Sequence, residues 1–276
     1  MGNNKAIVTM AIGDIYGSLW HGLCKSGWER YAQKHGFDII CIDSPIDDSE
    51  RAANRSPAWQ KCLILSQDFS KKYDRIVWID SDILINADNA PSIVEEVPEN
   101  MVGAIDVWSS PTSGWFPVAL QRLIDITPKG DTFSQNVSMY YKKYGLPDTF
   151  DKVVQTGVLV LSPKHRDILE KTYYEYEEKG GSEWNYEMRP LSYELQKASK
   201  VHWIDIRYNM SWPIYKCLLY PFLMLESTLE EERKKALSTV CVNTAYHNGY
   251  FLHFPGDKSD MMLVNQDSLT WTDCKI

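Results

Sequence analysis

The first hundred residues alternate short apolar runs with segments whose apolar residues recur at helical spacing. Residues 5–13 (KAIVTMAIG) form a run rich in β-formers and predict a strand. Within residues 13–36 a helix is expected, because Leu19, Leu23, Trp28, Tyr31 and Ala32 fall on or near one face and Gly36 suits its end. Residues 37–43 (FDIICID) make a second strand, and residues 57–73 a second helix with Pro57 in its first turn. Ile76, Val77, Trp78 and Ile79 form a third strand, and residues 101–108 (MVGAIDVW) repeat the form. This β-α-β-α-β order predicts an α/β fold on a mostly parallel, Rossmann-like sheet of the nucleotide-binding kind.

Beyond residue 108 the pattern loosens. Residues 108–117 read as a Pro-, Ser- and Gly-rich loop, and residues 117–150 as a polar stretch of weak periodicity. A strong strand follows over 153–163, interrupted by Gly157, and glycine inside a strand marks close approach of a ligand or another backbone. Residues 165–179 predict a helix with a solvated charged face, residues 182–198 a helix broken near Pro190, and residues 200–209 a further strand. With no clean linker and no internal repeat, residues 1–276 are expected to form one domain with irregular additions.

Composition narrows the function. The 44% apolar content is ample for a core, and 29 basic against 37 acidic residues argue against a nucleic-acid surface, which needs a basic patch. An anionic ligand would therefore need local help from a metal or a few placed cations. The cysteines, Cys24, Cys41, Cys62, Cys217, Cys241 and Cys274, show no C-x-x-C pair and no zinc spacing, as expected of reduced thiols in the cytoplasm. No apolar stretch has the length of a membrane span, and the start MGNNKA lacks a signal-peptide core. A Golgi enzyme trimmed of its anchor would look the same, and N-x-S sequons stand at Asn54, Asn136 and Asn209. Neither a dinucleotide nor a P-loop fingerprint is present.

The candidate chemistry lies at the end of the third strand, where Asp80 and Asp82 follow the apolar run. Open α/β sheets bind ligands outside the carboxyl ends of their strands. In an extended chain these two side chains share a face and point into one cleft, and such oxygen ligands suit Mg²⁺ or Mn²⁺. Spacing alone says little, since about one D-x-D arises by chance in a chain of this length, and a solvated turn also uses aspartates. Near the end, Phe251 and Leu252 lead into His253, followed by Gly256 and Lys258. A strand-end histidine serves either as a metal ligand or as a structural residue, while Gly lets the backbone approach a phosphate and Lys neutralises it.

Asp80-Ser81-Asp82, then Gln155-Thr156-Gly157 leading an apolar strand, then His253-Phe254-Pro255-Gly256-Asp257-Lys258 resemble, in this order, the GT-A glycosyltransferases. The chain looks most like the retaining families that include glycogenin-like and bacterial galactosyltransferases and the fungal and plant galactosyl- and xylosyltransferases. The resemblance implies a nucleotide-binding half over 1–108 and an acceptor-binding half over 109–276. It implies that Asp80, Asp82 and His253 hold Mn²⁺ or Mg²⁺. By the same likeness Ala11, Gly13, Asp14 and Tyr16 grip the nucleoside, and Lys61, Gly256 and Lys258 attend the diphosphate. Asp106, Gln155 and Thr156 fall where the donor sugar is held, and Glu187 lies near the anomeric carbon or acceptor, so Glu187 and Asp106 are the candidate catalytic residues. Two departures stand out: Ser259-Asp260 replaces the usual Pro-Trp, and Gln155 replaces the usual Asn before Thr-Gly.

The implied reaction moves a sugar from a nucleoside diphosphate, UDP by resemblance, to a glycan or glycoprotein acceptor, with retention. Charge building on the leaving phosphate is what a cation and a lysine stabilise. Two other readings remain open. A haloacid-dehalogenase-type phosphatase also uses D-x-D after a strand, but it needs its nucleophile on the first strand and Thr or Val where Leu84 stands. A non-catalytic glycan-binding protein on a transferase scaffold would explain the tryptophans but not an intact acidic pair.

Overall fold

The apolar run at the start of the chain forms β1 (Lys5–Met10), and the runs that follow form β2 (Phe37–Ile42) and β3 (Arg75–Ile79). The computed structural model describes residues 4–112, 114–126, 136–179, 186–224 and 230–267. With β5 (Val102–Ala104), β6 (Val158–Leu161) and β7 (Val201–Trp203), these strands build a six-stranded sheet in the order β2-β1-β3-β6-β5-β7. Strand β6 alone runs against its neighbours β3 and β5, so the sheet is mostly parallel, as expected. The sheet draws strands from both sides of residue 108.

Both faces of the sheet are covered, which is why β3 reads as an unbroken apolar run rather than an alternating one. Ile7, Val77, Ile79, Val158 and Val160 pack on one side with Trp28 and Tyr31. On the other, Ala6, Val8, Ile76, Trp78 and Leu159 meet Trp59, Ile64, Leu169 and Leu191.

Several elements differ from the sequence expectation, each for a local reason. The helix expected within 13–36 is α1 (Gly13–Leu19) and α2 (Lys25–His35), joined without a break by a π-helical turn, Trp20–Cys24, and closed by Gly36 in the left-handed region at φ +71°. Residues 57–73 are two 3₁₀ stretches, Pro57–Ser66 and Asp68–Lys72, not an α-helix. Residues 59–65 are all buried, so the segment carries no amphipathic stripe. After the short α3 (Glu50–Ala53), the weakly periodic stretch beyond 117 holds α4 (Phe116–Ile126) and α5 (Val137–Tyr144). Helix α4 buries Phe116, Ala119 and Leu120, too narrow a stripe to stand out. Helix α5 carries legible caps: the Asn136 side chain accepts from Met139 N–H, and Gly145 closes it at φ +85°.

Helix α6 (Arg166–Glu175) is as expected but stops short of residue 179. Pro190 does not break a helix: α7 runs Met188–Lys197, and the proline sits in its first turn, where its missing N–H has no partner to lose. Strand β7 ends at Trp203 because Asp205 caps a 3₁₀ turn, accepting from Arg207 N–H. The expected Ser113, 127–135, 182–185 and Cys274 positions lie outside the described residues. The described part of residues 212–248 includes α8 (Trp212–Leu219) and α9 (Glu231–Asn248). No helix among the described residues is long and apolar enough to cross a membrane.

A second, smaller sheet positions the chemistry. It consists of β4 (Ile83–Ile85), β9 (Phe251–His253) and β8 (Met210–Ser211), with β9 in the centre and His253 opposite both Ile83 and Ser211. The outer edge of β4 is closed by side chains instead of a strand. Cys24 Sγ donates to the Ser81 carbonyl at 3.2 Å, Trp28 Nε1 to Ile83 at 2.8 Å and the Tyr246 hydroxyl to Ile85 at 3.0 Å. These three donors satisfy the outward carbonyls of Ile83 and Ile85 and that of Ser81 in the turn before them. Replacing Trp28 with Phe keeps most of the packing but strands the Ile83 carbonyl; urea unfolding should show a loss of about 1–3 kcal/mol.

Candidate functional site

Two backbone hydrogen bonds place the aspartates. Asp80 N–H donates to the Gly157 carbonyl at 2.8 Å, just before β6, and Phe254 N–H donates to the Asp82 carbonyl at 3.0 Å, just after β9. The pair does not lie along one strand, as the extended-chain reading expects. Strand β3 ends at Ile79, and Asp80-Ser81-Asp82 form a turn that leads into the other sheet. The turn still directs both carboxylates toward His253: one ligand atom from each of Asp80, Asp82 and His253 lies within 4.8 Å of the others.

His253 Nε2 is 3.2 Å from Asp82 Oδ1 and 3.9 Å from Asp80 Oδ2. Lys258 Nζ stands 3.2 Å from the other Asp82 oxygen, above the half-exposed ring of Tyr16 at 5.1 Å from its centre. Below them, buried Lys61 Nζ is shared between Asp80 Oδ1 at 3.1 Å and Glu187 Oε1 at 2.9 Å, and also donates to the Thr156 carbonyl. Trp78 Nε1 donates to Asp80 Oδ1 at 2.7 Å, and the Thr156 hydroxyl to Glu187 Oε1 at 2.8 Å.

The electrostatics suit a cation. Asp80, Asp82 and Glu187 face Lys61 and Lys258, three carboxylates against two ammonium groups, with the His253 ring beside them. Burial opposes the charge on Lys61, but Asp80 and Glu187 outweigh it and hold its pKa above that of an ordinary lysine. Burial likewise works against ionised Asp82, and the neighbouring His253 and Lys258 charges more than offset it, keeping the carboxyl below its usual range. Two carboxylates, Asp80 partly exposed and Asp82 buried, and a buried imidazole, 4.8 Å or less apart, are an appropriate donor set for a hard divalent cation. The nearby Cys24 thiol is no nucleophile, since burial and then Asp82 push its pKa well up.

Of the remaining expected site residues, Thr156, Gly157, Glu187, Lys61 and Lys258 join this network, and Tyr16 joins it through Lys258. Ala11 is buried and donates its N–H to the Ile42 carbonyl; Gly13 opens α1 at φ +79°, and Asp14 follows it exposed. Ser81 is buried and contributes a carbonyl to Cys24. Gly256 holds a left-handed turn at φ +82°. Gln155 Oε1 accepts from Gly157 N–H and Asn209 Nδ2. The Asp106 carboxylate accepts from Trp108 N–H, Val153 N–H and the Ser109 hydroxyl, none of which belongs to the Asp80 cluster.

Sequence reasoning does not single out Asn209 or Trp78. Trp78 was traceable, since it lies two residues before Asp80 and so shares its side in an extended chain. Asn209, which meets His253 Nδ1 at 2.9 Å, reads in the sequence only as a sequon.

This arrangement has counterparts of known architecture. A glycosyltransferase involved in the glycosylation of the major capsid of PBCV-1 superimposes with a TM-score of 0.53 at 14% identity, over 94% of this chain and 98% of that one. The apo form of the bifunctional glycosyltransferase WbbM gives 0.53 at 14% identity over 93% of this chain and 46% of WbbM, so the chain spans less than half of that protein. The chain has the GT-A glycosyltransferase fold. No protein-family model matches the chain, and no curated protein does either. A GT-A fold with Asp80 after β3 also removes the haloacid-dehalogenase reading, which needs its nucleophile on the first strand.

Two substitutions probe the geometry. A Cβ at Gly157 would stand 2.7 Å from His253 Cε1, so Gly157→Ala should displace the ring; calorimetry is expected to show Mn²⁺ binding weakened about tenfold or more, with circular dichroism unchanged. Lys61→Met leaves Asp80 and Glu187 without their shared counter-charge and should cost about 3 kcal/mol in denaturant unfolding.

Proposed function

We propose that this chain is a metal-dependent glycosyltransferase that moves a sugar from a nucleoside diphosphate, UDP by resemblance, to a hydroxyl of a glycan or glycoprotein, with retention. The observation that carries the reading is the convergence of Asp80, Asp82 and His253 beside Lys258 at the carboxyl end of β3 in a GT-A fold. Asp80, Asp82 and His253 would hold Mn²⁺ or Mg²⁺. When bound there, the cation offers positive charge to the diphosphate oxygens.

The chain's own residues supply the rest. Lys258, at the rim beside Asp82, neutralises charge on the departing phosphate, with Gly256 allowing the turn to approach it. Residues Ala11 to Tyr16 seat the nucleoside, and the Tyr16 ring under Lys258 ties that seat to the diphosphate end. Lys61 is too deeply buried to meet the diphosphate; it holds Asp80 and Glu187 in place. Glu187 is already ion-paired with Lys61 and accepts from Thr156, and both Asp106 oxygens serve backbone and Ser109 donors. Neither carboxylate is free to act as a general base, which favours retention: there the leaving diphosphate itself takes the acceptor's proton. Glu187, as buried as Lys61, then acts on the positive charge that grows at the anomeric centre through its field and not by contact, and residues 109–276 contribute the acceptor side. The five described cysteines are free thiols, in keeping with a reducing, cytoplasmic setting.

Asp82→Ala should abolish metal-dependent binding of UDP while the fold persists. A hydrolysis screen over UDP-xylose, UDP-glucose, UDP-galactose and GDP-sugars with Mn²⁺ and Mg²⁺ identifies the donor. Undiminished donor turnover by the Asp82 variant would refute the assignment, and sugar binding without nucleotide binding would point to a glycan-binding protein instead.

A further inference from the structure

An imidazole ring presents either a proton or a lone pair on a given side, and at His253 the choice decides what faces the aspartates. A backbone group of fixed polarity settles it. Gly157 N–H donates to Gln155 Oε1, so that atom is the amide oxygen. Asn209 Nδ2 donates to the same oxygen, which turns Asn209 Oδ1 toward His253 Nδ1 at 2.9 Å. An amide oxygen only accepts, so Nδ1 carries the hydrogen, and in the neutral ring Nε2 keeps its lone pair. Gln155 Nε2, 3.5 Å from the same ring nitrogen, is too distant to compete. Nε2 is the atom set 3.2 Å from Asp82 and 3.9 Å from Asp80.

We propose that Asn209 is a positioning residue for the metal centre, the last link of a relay from Gly157 N–H through Gln155 to His253 that fixes the ring in its metal-binding tautomer. Asn209 is 1% exposed and His253 3%, so water does not compete for the Nδ1–H bond. In the neutral ring a lone pair opposes carboxylate oxygens, an arrangement that is relieved when a divalent cation takes the space between them. The relay also gives Gln155 a task away from the sugar: its oxygen is spent on Gly157 and Asn209. The inference rests on the reading of Asp80, Asp82 and His253 as ligands.

Two measurements on the full chain test it. The ¹⁵N shifts of His253 in metal-free protein at about pH 9, above the ordinary histidine range, report the tautomer directly. Calorimetry with Mn²⁺ alone reports affinity for wild type, Asn209→Leu and Asn209→Asp. The wild-type ring should be protonated at Nδ1. The dissociation constant should rise about 10–100-fold in Asn209→Leu and clearly less in Asn209→Asp, whose carboxylate keeps the acceptor for Nδ1–H but loses the donor to Gln155. A wild-type ring protonated at Nε2, or an Asn209→Leu variant that binds Mn²⁺ like wild type, overturns the relay. If Asn209→Leu fails to fold by circular dichroism, the wild-type spectrum and Asn209→Asp decide. Absence of Mn²⁺ binding by wild type overturns the metal reading itself, whatever the tautomer, and Asn209's role with it.

Discussion

Three carboxylates gathered in one cleft, two of them buried and Asp80 partly exposed, repel one another, and much of the surrounding structure answers that repulsion. Lys61 is held between Asp80 and Glu187 by a segment buried on every side, and Lys258 reaches Asp82 from the turn after β9. Hydrogen bonds to the charged oxygens do the remaining work, from Trp78 to Asp80 and from Thr156 to Glu187. The carboxylates still outnumber the ammonium groups by three to two, a balance that a cation beside the His253 ring would suit.

The parts of this centre that the sequence reveals are those set by local pattern. Residues 76–79 announce a buried strand because both faces of the sheet are covered, and Asp80 and Asp82 stand out against that apolar run. Gly157 is legible as the close approach of a ligand or another backbone, but it lies just before β6 and the group that approaches is a side chain, the imidazole of His253. Other features depend on partners distant in sequence. The burial of 59–65 on all sides leaves no stripe to read, and the narrow buried stripe of α4 is defined only once Ile214 of α8 lies against it. Asn209 could not be found by pattern at all: its meaning comes from the pairing of β8 beside β9, which brings residues 44 positions apart into contact.

Fold and sequence also part company at the level of the whole chain. Fourteen per cent identity accompanies overlap of nearly the full length with the PBCV-1 glycosyltransferase, whereas comparison of sequences with family models and curated proteins finds no match. This is what sheet architecture allows. Many apolar residues fill a buried strand equally well, so the layers persist while the letters drift; the positions held by charge and by hydrogen-bond geometry are few.

The ligand atoms come from two separately hydrogen-bonded sheets. Asp80 is tied through its backbone to Gly157, at the start of the interior strand β6 of the large sheet, while Asp82 and His253 belong to the small one, and the turn through Ser81 is the bridge. Anything that grips all three side chains therefore acts as a rivet across that seam. Such a rivet couples local occupancy to global rigidity: filling the centre stiffens the joint between the sheets, and loosening the joint weakens the centre's hold on its occupant.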